Sequence, residues 1–594
     1  MKHLFTLNRF LYKYKWKLLL GIIFVALSNY FRVLQPQMVR EALDLVLENI
    51  KVFSLLDGSA SREDLYLEIG QILLFFGILV LLLAITMGIF MYFMRQTIIV
   101  ASRLIEYDLR KEMYDKYQEL DQNFYRKNKT GDLMARITED VNKVRNYLGP
   151  AMLYFINLST LFIIVIYAMI SVSPTLTFYV LLPLPLLSVS IYYVSNIINK
   201  KSEQIQRQLS KLNSVAQEVY SGIRVLKSYV REPQMVNYFN SQSNVFLQKS
   251  ISLAKVNALF SPLMILLIGS STIITIYVGG LQMINGDLTP GNIAEFVIYV
   301  NMLAWPVTAI GWIASIVQQA EASMERINHF MDTEPKVANK GTLHKKAEGS
   351  IEFVDIALTY PDTGILALKN VNLRIEKGEK VGIVGKTGSG KTSLADLIVR
   401  IFDPSEGRIE INGTDIRDYD LFKLRKSIAY VQQDVFLFSD TIENNIKFGN
   451  PYASDEEVEK YARLAAIYDD IMELPKGFKT AVGERGVTLS GGQKQRVSIA
   501  RSFIKNPDII ILDDCLSAVD AQTEQKIIYH LNFVLKDKTT VMITHRLDAL
   551  KQFDRVIVME DGGIAEWGTH EELLDKKGRY FDMFEQQKLA ETES

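Results

Sequence analysis

Gly385-Lys386-Thr387-Gly388-Ser389-Gly390-Lys391-Thr392 stands between an apolar run, Lys380-Val381-Gly382-Ile383-Val384, and a helix-like segment, Ser393-Leu394-Ala395-Asp396-Leu397-Ile398. Strand, glycine-rich turn and helix in that order suit a phosphate-binding loop. The glycines let successive backbone N–H groups converge on phosphate oxygens, and the helix N-terminus adds the positive end of its dipole. Lys391 is placed to reach the β- and γ-phosphates of a nucleotide, and Thr392 to offer its hydroxyl to Mg²⁺. Gly385 to Ser393 are therefore candidate nucleotide contacts. Around them, short strand-like runs such as Ser350-Ile351-Glu352-Phe353 alternate with helical patterns. That alternation predicts an α/β domain with a buried, mostly parallel sheet.

Upstream the chain has a different character. Its 594 residues exceed one hydrophobic core. The averages are ordinary (48% hydrophobic, 22% charged, net charge -1), but the apolar residues are concentrated before about residue 320. Uncharged stretches run over 18–31, 69–94, 146–199, 256–286 and 296–320. A helix needs about 20 apolar residues to cross a bilayer core of roughly 30 Å. Stretch 146–199 is long enough for two crossings, with Ser171-Val172-Ser173-Pro174 as the turn, so six transmembrane helices are expected.

Loop charge gives the orientation. Residues 1–17 carry Lys2, Arg9, Lys13, Lys15 and Lys17 with no acid, whereas loop 40–68 has seven acids against three bases. Basic flanks stay in the cytosol, so the N-terminus is expected to be cytoplasmic. The first apolar run is followed by Arg32 and Gln35-Pro36-Gln37 rather than a small-residue cleavage site, so no cleavable signal is expected. Residues 4–16 suit a short helix lying on the membrane surface. A single cysteine, Cys515, excludes an intrachain disulfide and a multi-cysteine metal site.

The connections 95–145 and 200–255 are longer than turns between helices need, and they read as helical extensions of the spans. A polar stretch without apolar periodicity, 332–350, reads as a linker. The expected layout is an interfacial elbow helix over 1–16, a transmembrane domain over 17–331, the linker, and a nucleotide-binding domain over 351–590.

More motifs surround the phosphate loop. Tyr360 precedes it, and Val431-Gln432-Gln433-Asp434 follows it. Leu489-Ser490-Gly491-Gly492-Gln493 opens a helical pattern, which puts Ser490 and the glycine N–H groups at a helix N-terminus, a ready anion site. The apolar strand Ile509-Ile510-Ile511-Leu512 ends in Asp513 and Asp514, and Asp513 is a hard carboxylate ligand for Mg²⁺. Ser517-Ala518-Val519-Asp520 and Ile543-Thr544-His545-Arg546 complete the set.

In this order the motifs closely resemble the ATP-binding cassette (ABC) family. With the spans, the resemblance extends to type I (type IV fold) ABC exporters, from about residue 15 to 585. It implies a six-helix transmembrane domain fused to an α/β P-loop NTPase (ABC) nucleotide-binding domain, in a multi-pass protein of the cytoplasmic membrane with ATP and Mg²⁺ as cofactors. The implied roles are specific. Tyr360 stacks on adenine, and Gln433, with Gln432 as its competitor, touches Mg²⁺ and the attacking water. Ser490, Gly491, Gly492 and Gln493 meet the γ-phosphate bound by the opposite subunit, Asp520 bridges the two subunits, and His545 contacts the γ-phosphate. In the connections, Phe124-Tyr125-Arg126-Lys127-Asn128-Lys129-Thr130-Gly131-Asp132-Leu133-Met134 and Gln217-Glu218-Val219-Tyr220-Ser221-Gly222-Ile223 resemble the loops whose coupling helices dock on the cassettes.

At two positions the chain departs from the family pattern. Many exporters carry Glu where Ala481 stands in Thr480-Ala481-Val482-Gly483-Glu484-Arg485-Gly486. The family also normally has a glutamate where Asp514 stands. Asp514 is still a carboxylate to act on water, but its oxygens retreat by roughly 1.5 Å, and a misplacement near 1 Å can cost about a hundredfold in rate. Two readings follow. In one, this chain is the degenerate half of a heterodimer whose partner, a second half-transporter, supplies a glutamate; in the other, it is a homodimer with Asp514 as a weaker base.

Six spans fused to one cassette argue against a soluble cassette protein of nucleic-acid repair, so no nucleic-acid partner is expected. They argue against an importer too, and a gated channel is a further reading. The substrate is expected to be a hydrophobic or amphipathic drug or lipid. Arg32 is a candidate for the inner cavity, with Tyr30, Phe31, Met302, Trp305 and Trp312. Pro36, Pro262 and Pro306 are expected to mark kinks.

Overall fold

The computed structural model describes residues 2–55, 61–483, 486 and 488–593. The chain forms two compact units, Met1–Lys116 with Gly131–Thr333, and Tyr117–Thr130 with Glu334–Ser594. Segment 117–130, expected within the transmembrane domain, thus packs with the cassette instead.

The first unit is helical. Five helices, Lys15–Ile50, Leu65–Glu119, Thr130–Val172, Glu232–Ile284 and Pro290–Met331, are long and apolar enough to cross a membrane. The other expected crossing falls on two helices, Pro174–Leu181 and Pro183–Ser221. Pro183 has no N–H to donate to the preceding turn, so the apolar stretch is divided at Leu182. The expected turn before it is a break at Ser173, whose side chain accepts from Leu176 N–H. Pro36, Pro262 and Pro306 lie inside continuous helices. At the start, a 3-10 turn His3–Leu7 and a short helix Asn8–Lys13 precede the first long helix.

Several buried polar groups in this unit are paired with one another, which lowers their cost in a lipid environment. Asn29 donates to Asn157 Oδ1 and to its carbonyl, both at 3.0 Å. Glu295, fully buried, accepts from Arg40 at 3.1 Å and from the Tyr299 hydroxyl at 2.7 Å. Asp44 accepts from Thr289 Oγ1 at 2.6 Å and from Gly291 N–H at 2.8 Å, tying the first long helix to the start of the last. Gly291 leaves no room for more, since a Cβ there would sit 2.5 Å from Asp44 Oδ2 and 2.6 Å from the Arg40 carbonyl oxygen. Asp140 likewise holds Ser323 and Arg326 Nε, each at 2.9 Å. Trp305 and Trp312 pack against Tyr154, with ring centroids 5.6 and 5.4 Å away. A 590 Å³ apolar cavity is lined by Phe155, Phe162, Pro306, Ile310 and their neighbours, and by none of the aromatic candidates from the sequence.

The second unit contains ten strands among the described residues: β1 Ile351–Thr359, β2 Leu366–Ile375, β3 Lys380–Gly385, β4 Glu406–Ile411, β5 Thr414–Asp415, β6 Ile428–Val431, β7 Ile509–Asp513, β8 Thr539–Ile543, β9 Arg555–Glu560 and β10 Gly563–Gly568. β2-β1-β4-β5 form an antiparallel sheet, and β10-β9-β3-β8-β7-β6 form the second, parallel except for β10. The central strand β7 is buried on both faces, with Ile510 and Leu512 in one core and Ile509 and Ile511 in the other. That explains its continuous apolar run, which a half-exposed strand would interrupt with polar residues.

Candidate nucleotide site

Strand order assembles the site. β3, β8, β7 and β6 are neighbours and parallel, so their carboxyl ends share one edge, where ligands of open α/β sheets bind. Register is tight there: Val431 pairs with Leu512, and Ile543 with Asp513 and Ile383. Gln433 stands two residues past β6, Asp514 directly after β7 and His545 two residues past β8, while β3 runs into the phosphate loop. Motifs far apart in sequence therefore line one 430 Å³ cavity, with Tyr360, Thr387, Gly388, Gly390, Lys391, Thr392, Ser393, Gln433, Asp513, Asp514 and His545 in its wall. Gln432, the competitor of Gln433, faces a different cavity.

Local conformation follows from the glycines. Gly385 has φ +151, and a Cβ there would lie 2.2 Å from the Met559 carbonyl oxygen, so only glycine passes β9 at this point. Helix Lys391–Ile398 begins directly after the loop. The Lys391 ammonium donates to the carbonyls of Gly385 at 2.8 Å and Lys386 at 2.9 Å, which folds the loop around it. Burial lowers the Lys391 pKa while Asp513 and Asp514 oppose the change. Ser389 Oγ is buried without a hydrogen-bond partner among the described residues.

Asp513 is almost fully buried, and burial raises its pKa against hydrogen bonds from Thr392 and Tyr430. The Thr392 hydroxyl, the Gln433 amide oxygen and the Asp513 carboxylate are hard oxygen donors facing one cavity beside an unsatisfied serine hydroxyl. This donor set fits Mg²⁺ held jointly with a triphosphate. Tyr360 is anchored by its hydroxyl to Ser393 Oγ at 2.8 Å and stands edge-on to Phe402, centroids 5.4 Å apart.

Asp514 adopts φ +45, in the left-handed region. Its N–H donates to the Ile543 carbonyl at 2.8 Å, and its own carbonyl accepts from Ser517 Oγ at 2.9 Å. Gln433 Nε2 lies 3.5 Å from Asp514 Oδ2, so the two side chains meet in the cavity. Among non-glycine residues, aspartate and asparagine tolerate this backbone best. Cys515 beside it is buried, and its thiol is pushed up to about 12, as befits a small apolar filler.

Tyr430 and Asp396 belong to none of the sequence motifs. The Tyr430 hydroxyl lies 3.2 Å from Asp396 Oδ1 and 3.3 Å from Asp513 Oδ2. One O–H serves only one acceptor, so two ionised carboxylates are poorly satisfied here. Burial pushes the Asp396 pKa up to about 6. A raised folded-state pKa on an acid means stability is unaffected below the unfolded-state value near 4 and falls as pH rises to about 6. Asp396→Asn is expected to raise stability by about 1–3 kcal/mol at pH 8 and to change little at pH 4. Thermal unfolding of the purified chain at both pH values checks this, and equal effects at both would refute it.

The signature residues lie elsewhere. Ser490 caps helix Gly491–Ile504, accepting from Gln493 N–H at 3.2 Å while its own N–H donates to Gln493 Oε1 at 3.0 Å. Asp520 caps Ala521–Val534 through Thr523 N–H at 3.0 Å, which lowers its pKa. Neither Ser490, Gly491, Gly492, Gln493 nor Asp520 lines the phosphate-loop cavity. Glu484 and Arg485 lie outside the described residues, while Ala481 bridges to Thr441.

Comparison with known proteins decides the family. Residues 18–307 match the ABC transporter transmembrane region and 368–517 match the ABC transporter domain. A probable multidrug resistance ABC transporter ATP-binding/permease protein, YheI of Bacillus subtilis (strain 168), is 36% identical over 577 residues, 97% of this chain and 96% of that protein. The chain belongs to the ABC transporter family. The multidrug resistance-like ATP-binding protein MdlA of Escherichia coli (strain K12) is 36% identical over 521 residues, 88% of each chain. The structure of a bacterial Atm1-family ABC exporter with ATP bound superimposes with a TM-score of 0.77 at 25% identity, covering 96% of this chain and 99% of that one. This ABC transporter is thus a multi-pass membrane protein whose cassette binds ATP and couples its hydrolysis to transport.

Proposed function

We propose that this chain exports hydrophobic or amphipathic compounds, drugs or lipids, as one half of a heterodimer in which its own ATP site is degenerate. The observation that carries this reading is the division of labour in the cassette: Lys391, Asp513 and the Ser490 signature keep the family's residues while Asp514 does not. Names of multidrug resistance transporters among the relatives support the substrate class. The N-terminus and cassette are cytoplasmic in this reading, from the basic flank at residues 2–17.

Tyr360 takes the adenine, and the loop Gly385–Ser393 takes the phosphates. Thr392, Gln433 and Asp513 hold Mg²⁺, which when bound neutralises phosphate charge and orients the oxygens. Positioning and electrostatics carry phosphoryl transfer. Asp514, His545 and Gln433 therefore act by placing the attacking water. Ser490, Gly491, Gly492 and Gln493 complete the partner's site from this chain's helix N-terminus, and Asp520 bridges the subunits. The second reading, a homodimer using Asp514 itself, is favoured by the 3.5 Å approach of Gln433 to Asp514.

Inverted vesicles of the host membrane in which this chain is paired with its partner half-transporter are expected to accumulate an amphipathic dye against its gradient when ATP is added. Dye that only equilibrates would indicate a pore and refute export.

A further inference from the structure

Arg126 belongs to the first connection. It lies on a short helix, Gln122–Lys127, capped by Asp121, whose carboxylate also accepts from Val337 N–H at 2.8 Å. This segment belongs to the cassette unit. The Arg126 guanidinium carbon sits 4.5 Å from the centroid of Tyr360, over the ring face, and 5.7 Å from that of Phe402. Its Nε is 3.0 Å from the Asp362 carboxylate. Arg126 also shares the cavity wall with Lys391, Gln433 and Asp514.

Two opposite roles fit an arginine beside a base-stacking tyrosine. It can cover the base from the far side, or it can occupy the stacking face and be displaced. The position decides between them. A guanidinium 4.5 Å from the ring centroid leaves no layer for an aromatic base between the two planes. Asp362 fixes the guanidinium there. Tyr360 cannot swing away, because its hydroxyl is tied to Ser393 and its ring is wedged against Phe402.

We propose that Arg126 is a base-displaced latch: it and the adenine of ATP compete for the same face of Tyr360, so base binding releases the Gln122–Lys127 segment from the nucleotide site. The latch rests on the reading of Tyr360 as the adenine platform. It makes the first connection a sensor of the base, whereas Gln433 senses the phosphates. The chain continues from this segment into Leu65–Glu119 on one side and Thr130–Val172 on the other. Release of Arg126 therefore acts directly on the ends of two long helices.

The test compares ATP with inorganic tripolyphosphate, which has the charge but no base, by equilibrium binding to the full chain in nanodiscs. Losing the latch removes a cation–π contact and an ion pair, so Arg126→Ala is expected to raise the preference for ATP over tripolyphosphate about three- to tenfold. Asp362→Asn leaves Arg126 in place but frees it, and is expected to shift the ratio the same way by a smaller factor. The ratio cancels the change in net charge, which acts on both ligands. A ratio that falls in Arg126→Ala would mean that Arg126 clamps the base, and an unchanged ratio would mean that it does not meet the base; either overturns the latch. Tyr360→Ala separates the underlying reading. If that variant leaves the ratio unchanged, Tyr360 is no adenine platform and both ideas fail. If it lowers the ratio while Arg126→Ala does not raise it, only the latch fails.

Discussion

Replacing Asp514 by glutamate raises the steady-state ATPase rate of the chain purified alone about a hundredfold, because the added methylene returns the carboxylate to water-positioning reach. The structure places the Asp514 carboxylate at the mouth of β7, 3.5 Å from Gln433 Nε2, with the backbone fixed by bonds to Ile543 and Ser517. A longer side chain at the same Cα therefore moves only its oxygens. The change has an opposing effect on stability. Position 514 has φ +45, and glutamate is less at home there than aspartate, at a cost of about 0.5–1 kcal/mol. The expected variant is faster and slightly less stable. A variant that is destabilised without any gain in rate would show that the missing methylene is not what limits turnover.

Lys391→Ala is expected to weaken ATP binding about 10²- to 10³-fold, measured by displacement of a fluorescent nucleotide from the full chain. The ammonium is the only cation among Gly385–Ser393 that the loop carbonyls aim inward, through 2.8 and 2.9 Å bonds. Each charge-assisted hydrogen bond it makes to phosphate contributes about 1.5–3 kcal/mol. Removing it also leaves Asp513 and Asp514 facing the phosphates without the cation that offsets them. Binding within threefold of the unmodified chain would remove Lys391 from the site.

The cassette was legible in the sequence because its chemistry sits at strand ends. Each motif follows a short apolar run, and parallel order alone brings Gln433, Asp513, Asp514 and His545 to one edge. The signature was legible as a capped helix start, and Ser490 and Gln493 do form that reciprocal cap. Less visible was anything set by tertiary pairing. Arg126 reaches Tyr360 across 234 residues of sequence, and no spacing rule connects them. The Tyr430 hydroxyl shared by Asp396 and Asp513 reads in sequence as an ordinary strand residue beside a helix residue. In the apolar half, Glu295 adjoins the uncharged run 296–320, and only the fold shows it between Arg40 and Tyr299. The crossing at 174–199 read as one uncharged block, yet Pro183 divides it, because hydropathy does not register a missing N–H. Trp305 and Trp312 pack on Tyr154, a contact that periodicity cannot show.

The central claim, that this chain's own ATP site is catalytically degenerate and needs a partner's glutamate, is tested most directly by the steady-state ATPase rate of the unmodified chain purified alone in lipid. The account predicts turnover well below about one per second. Turnover of about one per second or more would mean a self-sufficient homodimer with Asp514 as its working carboxylate, and would contradict the account.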